Sequence, residues 1–154
     1  LIDYMHAALP QMRESASTLR RELALVRAYV GVQQIRMGER LRIAFDVPDD
    51  LLELRLPPMI VLTLAENAVK HGLSPRREGG LLRIAARRDG GDVLVEVVDD
   101  GIGLRLGSGS GTGLANTRAR LAAHYGRAAT LVIGNRADGP GVRAELRIPA
   151  ETPA

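Results

Sequence analysis

Apolar residues recur at helical spacing through Leu19, Leu23, Val26 and Val30, with Met37 two turns further on. That stripe predicts one long helix, which Thr18 is placed to cap and Gly38 to end. It is read as packing onto the helix's own domain, with a dimer seam as the sharper alternative. Upstream, residues 1–9 pattern as a helix halted at Pro10, followed by the polar stretch Gln11–Ser17. Leu41–Val47 alternates as a strand, turned by Pro48-Asp49-Asp50, and Leu52–Leu56 reads as a short strand ended by Pro57-Pro58. Met59 to about Leu73 is a second helix, closed near Gly72.

Leu81–Arg88 and Val93–Asp99 are two strands around Asp89-Gly90-Gly91-Asp92, a strong hairpin signal. Glycine makes residues 100–113 a loop, Leu114–Tyr125 is helical, and Thr130–Ile133 pairs with Val142–Ile148 across Asp138-Gly139-Pro140-Gly141. These elements predict an α+β fold: a two-layer sandwich whose mixed, mostly antiparallel sheet is covered by helices on one face. A doubly wound nucleotide fold is excluded, because the glycine-rich segment does not follow the first strand of a βαβ unit.

At 154 residues the chain fits one domain with a helical appendage, and it buries a core without staples. It has no cysteine, which excludes a disulfide framework, a thiolate metal site and a cysteine nucleophile, and fits a reducing compartment. The sequence pI near 9.9 invites a nucleic-acid reading. Against it, the net charge is only +3, the arginines are scattered among 18 acids, and one Phe, three Tyr and no Trp leave little to stack on bases. Apolar runs such as Met59–Ala65 are too short to cross a bilayer, and no charged-then-apolar leader opens the chain. The expectation is therefore no nucleic acid and no membrane contact by these residues. The opening Leu-Ile-Asp-Tyr-Met reads as the inside of a helix, so the chain is expected to be a piece of something longer.

Three segments carry candidate chemistry. In Leu64-Ala-Glu66-Asn67-Ala-Val-Lys70-His71-Gly72, an α-helix puts Asn67, Lys70 and His71 on one face at i, i+3 and i+4. An amide oxygen, an ammonium and an imidazole suit a phosphate chain with its metal, since Mg²⁺ prefers oxygen ligands and keeps several waters. Taken alone, the trio is equally a polar face near a helix end. In Val97-Val98-Asp99-Asp100-Gly101-Ile102-Gly103, two carboxylates end an apolar strand. A strand-end carboxylate can accept from an adenine amino group while glycines let the backbone pass close to the ring, although Asp-Gly is also a common turn. The third segment is Gly107-Ser-Gly-Ser-Gly-Thr-Gly113, which leads into Leu114-Ala-Asn116-Thr-Arg-Ala-Arg120. It sends a glycine loop into a helix start, suited to an anion or simply a flexible linker.

In this order the three segments resemble the asparagine box and the two glycine boxes of the ATPase fold shared by histidine kinases, gyrase-type topoisomerases, Hsp90 and MutL, the Bergerat or GHKL fold, over roughly residues 41–149. The run Leu19–Gly38 and the phrasing from Pro58 to His71 resemble the LytS/YehU-type sensor histidine kinases, so the likeness spans nearly the whole chain. It implies a division into residues 1–38, the end of an upstream dimerisation or linker region, residues 39–150, the ATP-binding catalytic domain, and a tail at 151–154. It implies an enzyme, a protein histidine kinase of two-component signalling that uses ATP and Mg²⁺ and passes the γ-phosphoryl group to a histidine nitrogen.

The site residues follow from the same resemblance. Asn67 would bind Mg²⁺, Lys70 and His71 would lie near the phosphates, and Lys70 would neutralise developing charge. Asp99 would take the adenine amino group, with Gly101 and Gly103 shaping the pocket. The loop from about Leu104 to Gly113 would be a mobile lid, with Gly111, Thr112, Gly113 and Leu114 closing on the phosphates.

Two departures stand out. Gyrase-like ATPases carry a glutamate base one helical turn before the asparagine; here that position is Thr63, and Glu66 points about 100° away from Asn67. A neutral imidazole is already a nucleophile and needs no activated water, so the departure favours a kinase, with Glu66 a supporting proton acceptor. Second, relatives usually place a threonine after the closing-strand glycine to support the aspartate, but Val142 follows Gly141 here. Adenine is then expected to lose one hydrogen bond, about 1 kcal/mol.

The phosphorylated histidine of that family lies in an upstream motif that neither His6 nor His124 matches. The chain is thus expected to bind ATP without phosphorylating itself. Its implied partners are the acceptor-histidine region of its parent protein, a response regulator and, in the full-length protein, a second copy, in a cytoplasmic setting with a membrane-associated parent. Two other readings stay open: a nucleotide-gated interaction module without phosphoryl transfer, and a gyrase-like hydrolytic ATPase.

Overall fold

In the structure, a computed structural model that describes residues 16–104 and 112–150, period-two burial marks out a five-stranded sheet. In chain order the elements are β1 (Ser17–Thr18), α1 (Leu19–Met37), β2 (Leu41–Asp46), β3 (Arg55–Leu56), α2 (Ile60–Asn67), β4 (Gly80–Asp89), β5 (Asp92–Asp99), α3 (Thr112–Tyr125), β6 (Thr130–Asn135) and β7 (Val142–Pro149). The sheet order is β2-β4-β5-β7-β6; β2 pairs parallel with β4 and every other pair is antiparallel. This is the mixed, mostly antiparallel sandwich that the alternation implies. The expected opening helix, His6, the lid glycines through Gly111 and the tail at 151–154 lie outside the described residues.

Register explains which residues meet. Ile84, Val97 and Ala144 stand side by side across β4, β5 and β7, with Ala86, Val95 and Leu146 in the next row. These inner positions are buried. The opposite face carries ion pairs, including Arg83–Asp46 at 2.7 Å and Arg147–Asp89 at 2.8 Å. A sheet with one apolar and one charged face must be covered on the apolar side only.

Helix α1 supplies part of that cover. Thr18 caps it by accepting from the Arg21 N–H, and Gly38 ends it at a φ of 62°. Leu19, Leu23, Leu25, Val26, Val30 and Met37 all join the core cluster that includes the sheet's inner face. The helix therefore packs onto the body of the fold. Among the described residues no helix is long and apolar enough to cross a membrane.

Two elements differ from expectation. Of Leu52–Leu56, only Arg55–Leu56 forms a strand, paired with β1. The reason is that the Leu52 and Leu54 carbonyls accept the first N–H groups of α1 (Arg20 N at 2.8 Å, Leu19 N at 2.9 Å), which satisfies that helix start instead of extending a ladder. The helix expected from Met59 to Leu73 is α-helical only over Ile60–Asn67 and widens to a π-helix over Ala68–Leu73.

If α1 is integral to the core, Leu25→Ala, at a side chain 1% exposed, should cost about 2–5 kcal/mol in a single cooperative urea transition. A helix merely appended would melt separately and leave the main transition unmoved.

Candidate functional site

A cavity of about 530 Å³ opens where the inner face of the sheet meets α2 and α3. Val97, Asp99, Val142, Ala144 and Ile133 form its sheet wall; Leu64, Asn67, Ala68, His71 and Gly72 form one helical wall, and Leu114, Ala115 and Arg118 the other. Asn67 and Asp99, predicted from separate segments, thus share one apolar-walled cleft of ligand size.

The widened turn decides what α2 presents. In a π-helix the bond runs from i to i+5, as Ser74 N–H to Val69 O does at 2.7 Å. A wider turn stacks i+4 and i+5, not i+3, beside residue i. Accordingly His71 and Gly72 join Asn67 in the cavity wall, while Lys70 is exposed and is not among the lining residues. The expected three-residue face is therefore Asn67–His71–Gly72. The Asn67 Nδ2 is buried with no hydrogen-bond partner among the described residues. Buried amides ordinarily find partners, which makes this one a candidate ligand contact. Rotating the amide by 180° offers its oxygen in the same place. Glu66 does not line the cavity either, and its charge is felt by Tyr29 of α1.

Asp99, 2% exposed, sits on the inner face at the end of β5, opposite Leu82. The Gly101 N–H donates to its Oδ1 at 2.9 Å, and the Val142 N–H donates to the same carboxylate. Val142 thus supports the aspartate through its backbone, where relatives are expected to use a hydroxyl.

Glycines let three segments cross here. A Cβ on Gly72 would lie 2.6 Å from Asp99 Oδ1, one on Gly101 2.1 Å from the Gly72 oxygen, and one on Gly141 1.9 Å from the Asp99 oxygen. Gly101, expected to shape the pocket, works behind it by allowing this approach, and the Ile102 N–H bonds to Gly72 O at 3.1 Å. Asp100 turns away: its Oδ1 accepts from the Leu81 N–H at 2.8 Å, fixing the start of β4.

Gly103, at a φ of 83°, lines the cavity, and the next N–H, that of Leu104, donates to Asn135 Oδ1 at 2.8 Å. Asn135 anchors this exit from the cleft, and nothing in the sequence singled it out. Gly111 lies outside the described residues, and Thr112 enters only as the first helical residue of α3. Leu114 lines the cavity; Gly113 instead faces α2, where a Cβ would touch Thr63 Cγ2 at 3.6 Å. Thr63 Oγ1 donates to the Met59 carbonyl at 2.8 Å. Leu64, Ala68, Val97, Ile133 and Ala144 line the cavity as apolar residues that sequence reasoning did not single out as a ligand wall. His124 is exposed, its Nδ1 3.1 Å from the Arg120 carbonyl, away from the cleft.

The sequence model for the histidine kinase-, DNA gyrase B- and HSP90-like ATPases matches residues 54–152. The sensor protein LytS of Enterococcus faecalis is 30% identical over 164 residues, which cover 98% of this chain and 28% of LytS. The sensor histidine kinase YesM of Bacillus subtilis is 32% identical over 143 residues, 90% of this chain and 25% of YesM. The chain thus spans between 25% and 28% of the length of these two relatives. In architecture it is similar to the catalytic domain of histidine kinase ThkA, with a TM-score of 0.67 at 18% identity over 90% of this chain and 97% of that one.

Burial raises the Asp99 carboxyl above its ordinary 3.8, against the lowering by the Gly101 and Val142 N–H groups. The folded state therefore holds this proton more tightly than the unfolded chain. The resulting stabilisation is complete below 3.8 and is lost as pH rises through the raised folded value. Asp99→Asn does not titrate, so its stability should improve relative to wild type as pH rises from about 3.5 to 7, measured as paired urea midpoints. Parallel curves would mean that the carboxyl titrates as it does in the unfolded chain.

Proposed function

Because this chain belongs to the family of histidine kinase-, DNA gyrase B- and HSP90-like ATPases, we propose that it is the ATP-binding catalytic domain of a sensor histidine kinase. It passes the γ-phosphoryl group of ATP to a histidine outside residues 1–154. The observation that carries this reading is the single cleft lined by both Asn67 and Asp99. The Asp99 carboxylate, held by two backbone N–H groups, keeps acceptor capacity for the adenine amino group, and Val97, Ile133, Ala144 and Leu64 offer apolar surface to the ring.

At the other end, Asn67 is the residue that would hold Mg²⁺, since its buried amide lacks a partner among the described residues and an amide oxygen is a hard ligand. Bound there, the ion would neutralise phosphate charge. His71 lines the same wall and would meet the phosphate chain, whereas the exposed Lys70 would reach it only from outside the cleft. In the transfer, the bond from the γ-phosphorus to its bridging oxygen breaks, a P–N bond forms to the acceptor imidazole, ADP leaves, and the ring proton passes to solvent. Such a reaction needs positioning and charge neutralisation more than covalent help.

Thr63 supports transfer over hydrolysis. Its hydroxyl is committed to the Met59 carbonyl, so no carboxylate stands one turn before Asn67 to activate water. The partners follow from the reading: the acceptor-histidine region of the parent protein, a response regulator, and a second copy of the full-length kinase, with this domain in the cytoplasm, where ATP is.

A fluorescent adenine nucleotide titrated with and without Mg²⁺ should bind tightly only with the ion. Label from γ-³²P-ATP should appear on a separately supplied acceptor domain and not on this chain alone. Asn67→Ala should abolish the Mg²⁺ dependence, and Asp99→Asn should weaken binding by about 10- to 150-fold, the worth of a charged hydrogen bond. Tight binding without label transfer would leave a nucleotide-gated module; steady phosphate release lost in Asn67→Ala would mean a hydrolase. Val142→Thr, which adds a hydroxyl beside the Asp99 carboxylate, should tighten binding about fivefold, and unchanged or weaker affinity in the same titration would remove the proposed hydrogen-bond deficit.

A further inference from the structure

Apart from Asp99, the buried acid among the described residues is Glu22, on α1 and 0% exposed. It lies outside the segment matched by the family, which begins at residue 54. Its carboxylate spans the start of α2: Oε1 accepts the Val61 N–H at 3.1 Å and Oε2 the Met59 N–H at 3.2 Å, with Ser17 Oγ donating to Oε2 at 3.2 Å. A helix start presents unpaired N–H groups and positive potential, which a local side chain normally answers. Here none does. Met59, the N-cap residue, makes no side-chain cap and stands at a φ of 69°, the one non-glycine residue with positive φ among the described residues.

We infer that Glu22 is a positioning residue for the nucleotide site: by capping α2 from α1 it sets where Asn67, the last residue of α2, stands in the cleft. The inference rests on the role of Asn67 proposed above. Three observations support it. Even with the π-turn that continues it to Leu73, the helix begun at Ile60 is of marginal length on its own, so its placement comes from its ends and its packing. The cap comes from another element, so it fixes the position of α2 and not only its helicity. And α1 packs against α2 beyond this cap, residues of both helices joining one core cluster.

Glu22→Gln keeps the size of the side chain but turns one acceptor into an NH₂ group that cannot receive an N–H. Ser17→Ala removes a hydrogen bond to the same carboxylate and leaves the helix start untouched. Three proteins are compared well below their melting temperatures: wild type, Glu22→Gln and Ser17→Ala. The readouts are Mg²⁺-ATP affinity, adenosine affinity and, without ligand, the NMR resonance of the Asn67 side-chain amide.

The expected result for Glu22→Gln is a loss of about tenfold in Mg²⁺-ATP affinity, with adenosine changed less than about threefold because its anchor, Asp99, is on the sheet; tenfold corresponds to about 1.4 kcal/mol. The Asn67 resonance should move in Glu22→Gln and stay in Ser17→Ala. Should Glu22→Gln fail to fold, Met59→Gly is added to it. That change relieves the left-handed backbone without restoring the cap, and the same shifts are expected. A variant that melts earlier yet keeps both the Mg²⁺-ATP affinity and the Asn67 resonance would reduce Glu22 to a stabilising role and overturn the inference. If wild type itself binds no Mg²⁺-ATP, the proposed function fails, while the ligand-free resonance still decides whether Glu22 positions Asn67.

Discussion

A carboxylate on the apolar face of a sheet is the constraint around which this cleft is built. Asp99 occupies the inner-face position beside Leu82, where an ionised group without partners would cost several kcal/mol. Two backbone N–H groups, from Gly101 and Val142, answer it. To deliver them, the chain after β5 and the start of β7 must both pass against the same side chain, and the end of the π-turn closes over it. That crossing leaves no room for a Cβ at Gly72, Gly101 or Gly141. The glycines are thus consequences of burying Asp99 as much as parts of a binding loop.

Much of this was legible in the chain. The strand ranges of β4, β5 and β7 were read from the chain, Asp89-Gly90-Gly91-Asp92 marked the hairpin, and Thr18 and Gly38 bounded α1. The resemblance of their segments to the boxes of the ATPase fold placed Asn67 and Asp99 at one site. What escaped was geometry that only tertiary contacts decide. An i, i+3, i+4 argument presumes an α-helix, and the π-turn after Asn67 exchanges Lys70 for Gly72 on the working face. Gly101 carried a ligand-binding expectation, yet it permits a close approach between elements, whereas a Cβ on Gly113 would make only ordinary contact with Thr63. Asn135, which holds the Leu104 N–H, is 31 residues distant in sequence, too far for any local pattern.

Under the proposed function, Thr63 is the side chain that separates transfer from hydrolysis on one fold. A glutamate there would stand on the wall of α2 facing α3, where it could orient water. The threonine instead spends its hydroxyl on the carbonyl four residues back, a local bond common to helical threonines, and turns its methyl toward Gly113. A nucleotide bound in the cleft as proposed would then meet no carboxylate at that position. That suits an enzyme whose nucleophile arrives on another segment, because hydrolysis would waste the ATP before the acceptor docks.

Glu22 and Asp99 solve the same electrostatic problem, one at the start of α2 and the other in the wall of the cleft. Each is a buried carboxylate pushed toward protonation by desolvation and held mainly by backbone N–H groups. Asp99 turns its remaining acceptor capacity to the cleft; Glu22 spends its own on a helix start. The lever is short but sufficient. Eight residues of helix span about 12 Å, so a tilt of about 5° at the capped end moves the far end by about 1 Å. Errors of that size at a reacting centre can cost about a hundredfold in rate. A displacement of α1 that withdrew the Glu22 carboxylate would therefore reach Asn67 through one rigid element, without rearranging the sheet that holds Asp99. The two ends of the nucleotide would then be gripped by parts of the fold that can be set independently, one by the sheet and one by the helix that precedes it.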